Sequence, residues 1–160
     1  MTWTEISVAI VAIYGAFLST YNLILNLKEK NKKLIVSVSM GFLEYEDYLG
    51  KQQLILTARN PTNKKINLNP PYILLPDGSQ IIFRDLGSDV IFPHELLSGK
   101  SCFAWTDFRK FLRTIKENNY SGTIKIRCVY SDQIDNYHMS KPFNLNIDFW
   151  TKDKKWMEGE

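Results

Sequence analysis

The sequence predicts a mainly β protein: an immunoglobulin-like two-sheet sandwich with one inserted amphipathic helix, preceded by a single N-terminal transmembrane helix. Three observations carry that expectation. Residues 6–27 contain no charged side chain. From Leu34 onward, apolar residues recur at every second position in short runs bounded by Gly, Pro, Asn and Asp. One segment, 106–118, breaks this period with apolar residues at helical spacing. The 160 residues hold one ordinary domain plus an appendage. With 44% hydrophobic and 23% charged residues, neither a wholly disordered chain nor a multi-span membrane protein fits. The organisation is then a short flank at 1–5, the transmembrane helix at 6–27, a basic juxtamembrane linker at 28–33, the β domain at 34–150 and a flexible tail at 151–160.

As a helix rising about 1.5 Å per residue, Ile6 to Leu27 spans roughly 33 Å, enough to cross a bilayer's hydrocarbon core. Eleven of these residues are Ile, Leu, Val or Phe. Together they contribute about −3 to −6 kcal/mol to insertion, which offsets Asn22 and Asn26 near one end. A cleavable signal peptide would place its bases before a shorter apolar core, whereas here they follow a longer one. A buried globular helix would show a polar face, and none here is charged. Lys28, Lys30, Lys32 and Lys33 follow the helix and no base precedes it. Because Lys and Arg beside a membrane span stay cytoplasmic, the expected topology is single-pass in the cell membrane, N-terminus outside and β domain in the cytoplasm. Trp3 and Tyr21 would sit at the interfaces. Val8, Ala12, Gly15, Ser19, Asn22 and Asn26 recur at steps of four and three. That face of small and hydrogen-bonding residues is one through which membrane helices pair, with a second copy or with another membrane protein. The plainer alternative is that Gly and Ser are common in such helices and both Asn reach the headgroups.

The domain opens on Leu34, Val36, Val38, Met40 and Phe42, alternating with polar or outward positions in a first strand. An acidic and aromatic loop follows (Glu44, Tyr45, Glu46, Asp47, Tyr48, Gly50), then a second strand from Gln52 to Asn60 with Leu54, Leu56 and Ala58 inward. Asn60 to Asn63 is a turn. Ile66 to Leu75, broken by Pro70 and Pro71, reads as an edge or bent strand because proline cannot donate to a ladder. Pro76, Asp77 and Gly78 turn the chain into Gln80 to Arg84. Gly87 to Pro93 is looser, and Lys100 to Trp105 is another strand. Thr106 caps a helix to Asn118 that turns Phe108, Phe111, Leu112 and Ile115 inward. Strands resume at 123–130 and 137–149, about seven in all, the count and spacing of a sandwich; a small open α+β sheet is the alternative.

The anchor, together with Leu56-Thr57-Ala58-Arg59-Asn60, Leu75-Pro76-Asp77-Gly78-Ser79 and Ser140-Lys141-Pro142-Phe143, resembles small bacterial single-pass membrane proteins. In these, one helix, a basic linker and an immunoglobulin-like domain follow one another. The resemblance implies an architecture and no activity.

No residue pattern specifies a reaction, so no catalytic, cofactor or metal residue is expected. Gly99, Lys100 and Ser101 end like a phosphate-binding loop, but His94 stands where its first glycine belongs and a strand follows where a helix is needed. His94 and His138, the two histidines, have no partner at metal-ligand spacing and read as surface or turn residues. Cys102 and Cys128 lie 26 residues apart on strands read as neighbours, and are expected to pack as small hydrophobes without a disulfide. Glu44, Glu46 and Asp47 lack the spacing of a calcium loop, while Tyr45 and Tyr48 beside them suit a protein contact. Arg109, Lys110, Arg113 and Lys116 form the basic side of the helix, either simply its wet face or a contact for anionic lipid, a nucleotide, nucleic acid or an acidic protein. Asn119-Tyr120-Ser121 is a glycosylation sequon, without meaning in the cytoplasm.

Charge weighs against nucleic acid as the main partner. Residues 28–33 hold four bases and one acid, a local +3 equal to the net charge of the chain, and from Leu34 onward 16 bases face 15 acids. The leading expectation is a membrane-tethered, non-catalytic module that binds a protein partner, with membrane lipid as its other contact and no cofactor. The alternatives are a sensor or effector acting through the basic helix, and an extracytoplasmic adhesion domain if the topology is inverted.

Overall fold

The computed structural model describes residues 2–30, 33–45 and 48–152, with side chains described at all of these except 28–30, 43–45, 48 and 49. It divides into two units, 1–33 and 34–160.

The first unit is one helix, α1 (Trp3–Lys30), of which Trp3–Leu27 is long and apolar enough to cross a membrane. It starts earlier than the hydrophobic run predicts because Thr2 and Glu5 form a reciprocal cap. The Glu5 N–H donates to Thr2 Oγ1 at 3.4 Å, and the Thr2 N–H donates to Glu5 Oε2 at 2.8 Å. Residues 3–5 are therefore helix rather than flank, and the helix also runs into the segment expected as linker.

The second unit is mainly β, with eleven strands among the described residues: β1 (Ile35–Tyr45), β2 (Tyr48–Arg59), β3 (Ile66–Leu68), β4 (Tyr72–Leu74), β5 (Gln80–Ile82), β6 (Gly87–Ser88), β7 (His94–Leu96), β8 (Ser101–Asp107), β9 (Thr123–Ser131), β10 (Tyr137–Met139) and β11 (Phe143–Asn146). Helix α2 (Phe108–Glu117) joins β8 to β9, and α3 (Ile147–Thr151) follows β11. One sheet has the order β1-β2-β8-β6, a second β10-β9-β4-β5 with β11 also paired to β9, and a third consists of β3 and β7. Every pairing is antiparallel.

The two-residue period puts one face inward in β2, β8, β9 and the first part of β1, but Val38 and Met40 are only half-buried and Phe42, expected on the same face, is exposed. Leu34 and Val36, then Leu54, Leu56 and Ala58, then Cys102 and Ala104, then Ile124, Ile126 and Cys128 are buried. They join one core with Ile73 of β4, Leu145 of β11 and the inner side of α2. Tyr130 of β9 ties the two larger sheets: its buried hydroxyl donates to the Leu56 carbonyl of β2 at 3.0 Å.

Five local expectations are corrected. The segment at 66–75 is not one bent strand, because Pro70 and Pro71 divide it into β3 and β4 in different sheets, and β4 lies between β9 and β5 rather than at an edge. The loop expected at 44–50 is a tight hairpin, with Tyr45 opposite Tyr48; Glu46 and Asp47 lie outside the described residues. The cap of α2 is Asp107, not Thr106, which is buried in β8 opposite Leu54. The last strand stops at Asn146, whose side chain accepts from the Phe149 N–H at 2.9 Å and starts α3. That helix includes Thr151, expected in the tail; residues 153–160 lie outside the described residues. Finally, Cys102 and Cys128 are not on neighbouring strands, because α2 carries the chain from one sheet to the other. Both are free and buried as expected. Burial pushes the Cys102 thiol up to about 11 and the Cys128 thiol higher still.

Candidate functional site

Three surfaces of the β unit concentrate unusual chemistry. The first is built on α2. Asp107 Oδ1 accepts from the N–H groups of Arg109 at 2.8 Å and Lys110 at 3.3 Å, satisfying two donors that a helix start leaves open. Phe108, Phe111, Leu112 and Ile115 then face the core, where Phe108 meets Trp150 edge-on with ring centroids 5.3 Å apart. Burying that side turns Lys110, Arg113 and Lys116 to solvent, with Arg109 half-buried. The four bases singled out from the sequence therefore do share the helix's outer side.

The sequence did not indicate what lies beside them. Ile82, Arg84 and Asp85, at and just beyond the end of β5, form with Lys110, Phe111 and Thr114 of α2 a cleft of about 230 Å³. Phe83 packs on Phe111 with centroids 6.2 Å apart, which brings the two walls together. Lys110 Nζ lies 3.9 Å from Asp85 Oδ2, with the two side chains 71% and 87% exposed; so open an ion pair holds little energy.

The second surface is the outer edge of β1. This strand pairs with β2 along its length and, among the described residues, with no other strand. Beside Leu34, Val36 and Val38 a groove of about 400 Å³ is closed on its far side by Met139, Lys141, Pro142 and Phe143.

The third is the hairpin from β9 to β10. Asp132 is buried; its Oδ1 accepts from the N–H groups of Ile134 at 3.0 Å and Asn136 at 2.8 Å, and Oδ2 from the Asn136 amide at 2.9 Å. Burial opposes its charge, but these bonds and His138 outweigh burial and hold the carboxyl below its ordinary range. His138 is not at a turn: it lies in β10 opposite Tyr130, its Nε2 buried, without a hydrogen bond and 3.7 Å from Asp132 Oδ2. Sequence spacing missed this pair because a hairpin, not a helix or a short motif, brings the two residues together.

A fourth local feature ties the β4–β5 turn to the chain beyond α2. Asp77 accepts from the Tyr120 hydroxyl and from the Ser79 side chain and N–H, which together hold its carboxyl down at about 2.

Of the remaining residues singled out, Ala12, Gly15, Ser19, Asn22 and Asn26 are exposed on α1, and no atom lies within 4 Å of where a Gly15 Cβ would be. Lys33 is exposed, Lys28 and Lys30 end α1, and Lys32 lies outside the described residues. Tyr45 and Tyr48 face each other across the β1–β2 hairpin; their side chains lie outside the described ones. Among the described residues no group of three or more His, Cys, Asp or Glu converges as a metal site would.

The class these observations define is a mainly β domain following one apolar helix. No family model matches the chain, and no curated protein does. Among solved structures, the X-ray structure of Northeast Structural Genomics Consortium target SoR45 aligns with 71% of this chain and 86% of its own, at 12% identity and a TM-score of 0.31. That likeness carries no argument about fold or function.

Proposed function

We propose that this chain is a membrane-anchored, non-catalytic binding module, of the same plan as the small bacterial single-pass proteins it resembles. In this reading α1 crosses the cell membrane once, its trailing lysines keep the β unit in the cytoplasm, and the two larger sheets form an immunoglobulin-like sandwich that binds a protein partner. Anchoring raises the effective concentration of the module toward other proteins of the same membrane, so modest intrinsic affinity suffices.

The observation that supports protein binding is that β1, among the described residues, pairs on one side only, with β2. An unpaired edge offers a row of backbone donors and acceptors, and soluble proteins usually blunt it with charge, proline or a covering element. Residues 34–43 contain no charge and no proline; the irregularity between Phe42 and Glu44, and Glu44 itself, guard the far end of β1, and the groove walled by Met139, Lys141, Pro142 and Phe143 runs beside Leu34 to Val38. An extended segment of a partner adding to this edge would satisfy the backbone and place alternate side chains against Val36, Val38, Met139 and Phe143.

The test is a photo-crosslinking amino acid at Ser37 in the full chain, in cells, with the same probe at the exposed Lys125 of β9 as control. A discrete adduct is expected from Ser37 alone, abolished by Ser39→Lys, which installs a guarding charge on the edge without touching the β1–β2 ladder. Equal adducts from both positions, or an adduct undiminished by Ser39→Lys, would sink the strand-addition reading.

A further inference from the structure

We infer that the face formed by β5 and α2 docks on the anionic headgroup surface of a bilayer. The juxtaposition that carries this is an exposed isoleucine sharing a cleft with two bases. Ile82, on the edge strand β5, is 76% exposed and lines one cleft with Arg84 and Lys110. Lys116 and Arg113 continue the positive surface along α2, both exposed.

A lone exposed hydrophobe is ordinary on a protein surface. What distinguishes Ile82 is its company. Counting Asp77, just before β5 and bonded to Tyr120 just past α2, the face gathers Arg84, Arg109, Lys110, Arg113 and Lys116 against Asp77, Asp85, Asp107 and Glu117, five bases less four acids, or +1. The chain from Leu34 onward, with 16 bases and 15 acids, is also +1, so this face carries the excess and the rest of the domain is balanced. Asp107 is already engaged in capping α2, and Asp85 meets Lys110 only in an open pair that headgroup phosphates can replace.

The bilayer interface suits this combination because it takes an apolar side chain at the acyl boundary and basic heads among the phosphates at once. A nucleic acid would complement the bases but offer Ile82 no acyl-like surroundings, and an acidic protein would need an apolar spot placed to match it. The affinity required is small if the domain is tethered, and in that respect alone the inference rests on the reading of α1 as an anchor. It is separate from the β1 edge, which leaves that surface free to hold a partner while this face lies on lipid.

The experiment uses the full chain with Ile82→Cys, labelled with an environment-sensitive fluorophore and reconstituted in nanodiscs. Cys102 and Cys128 do not compete for label, being buried with raised pKa values. Moving from zwitterionic lipid to about 30% anionic lipid should blue-shift the emission and raise it about twofold, and about 0.5 M salt should reverse the change by screening. Arg84→Glu with Lys110→Glu and Lys116→Glu should abolish it, with an unaltered circular dichroism spectrum showing the fold intact. An emission that does not respond to lipid charge, or that survives the charge reversals, overturns the inference. So does an emission that moves only when a soluble polyanion is added, since the occupant is then not lipid. Flotation with zwitterionic vesicles reads the anchor separately: a chain that floats but shows no response refutes docking, and a chain that does not float refutes anchoring.

Discussion

Gly87→Ala is the sharpest probe of how the first sheet is finished. Gly87 of β6 lies opposite Trp105 of β8, and a Cβ added to it would fall 2.2 Å from Trp105 Nε1, 2.6 Å from Cε2 and 2.9 Å from Cδ1. Carbon contacts are comfortable near 3.5 to 4 Å, so the indole would have to retreat by more than 1 Å or rotate off the sheet. Overpacking of this kind costs about 1 to 3 kcal/mol. Trp105 is only half-buried and can swing toward solvent, which places the expected cost at the lower end, about 1 to 2 kcal/mol. The assay is a double-mutant cycle by urea unfolding in mild detergent, followed by circular dichroism, which does not depend on Trp105. In a Trp105→Ala background the same Gly87→Ala change should cost less than about 0.5 kcal/mol, because the clash has no second partner. An equal cost in both backgrounds would refute the close approach and assign the effect to β6 backbone conformation instead.

Two further outcomes follow from local hydrogen bonds. Asp107→Ala should destabilise the domain by about 1 kcal/mol, with most of that recovered by Asp107→Ser, because the cap and not the charge closes the α2 donors; chemical unfolding checks it, and no rescue by serine would assign the loss to charge. The Asp77 carboxyl is depressed from 3.8 to about 2 in the folded protein, so its stabilisation is complete above about pH 4 and disappears as pH falls through 2. Asp77→Asn should flatten the loss of stability on acidification over that interval, measured by thermal unfolding, and an unchanged slope would contradict the Tyr120 and Ser79 bonds.

How much was legible beforehand depended on the range of the interaction that decides each feature. The uncharged run at 6–27 determines a helix long and apolar enough to span a membrane, because length and side-chain polarity are properties of the segment itself. Alternation likewise marked the inner residues of β2 and β9 and of the start of β1, though not Phe42, and helical spacing those of α2, since period 2 and period 3.6 each place one face on a core wherever that core lies. Only the tertiary structure decided the rest. Whether the chain around Pro70 and Pro71 stays in one sheet depends on partners far away in sequence, Leu96 opposite Ile66 and Val129 opposite Tyr72. Asp107 and not Thr106 is the cap because Asp107 is the last residue of β8, opposite Gln53, whereas Thr106 lies inside the strand, buried opposite Leu54. The bases of α2 were visible in one dimension, but Ile82 and Arg84 reach them only because Phe83 packs on Phe111, and Asp132 finds His138 only because a hairpin folds between them. Short-range periodicity is written in the chain; the meeting of elements is set by packing among residues tens of positions apart, and candidate sites form where those elements meet.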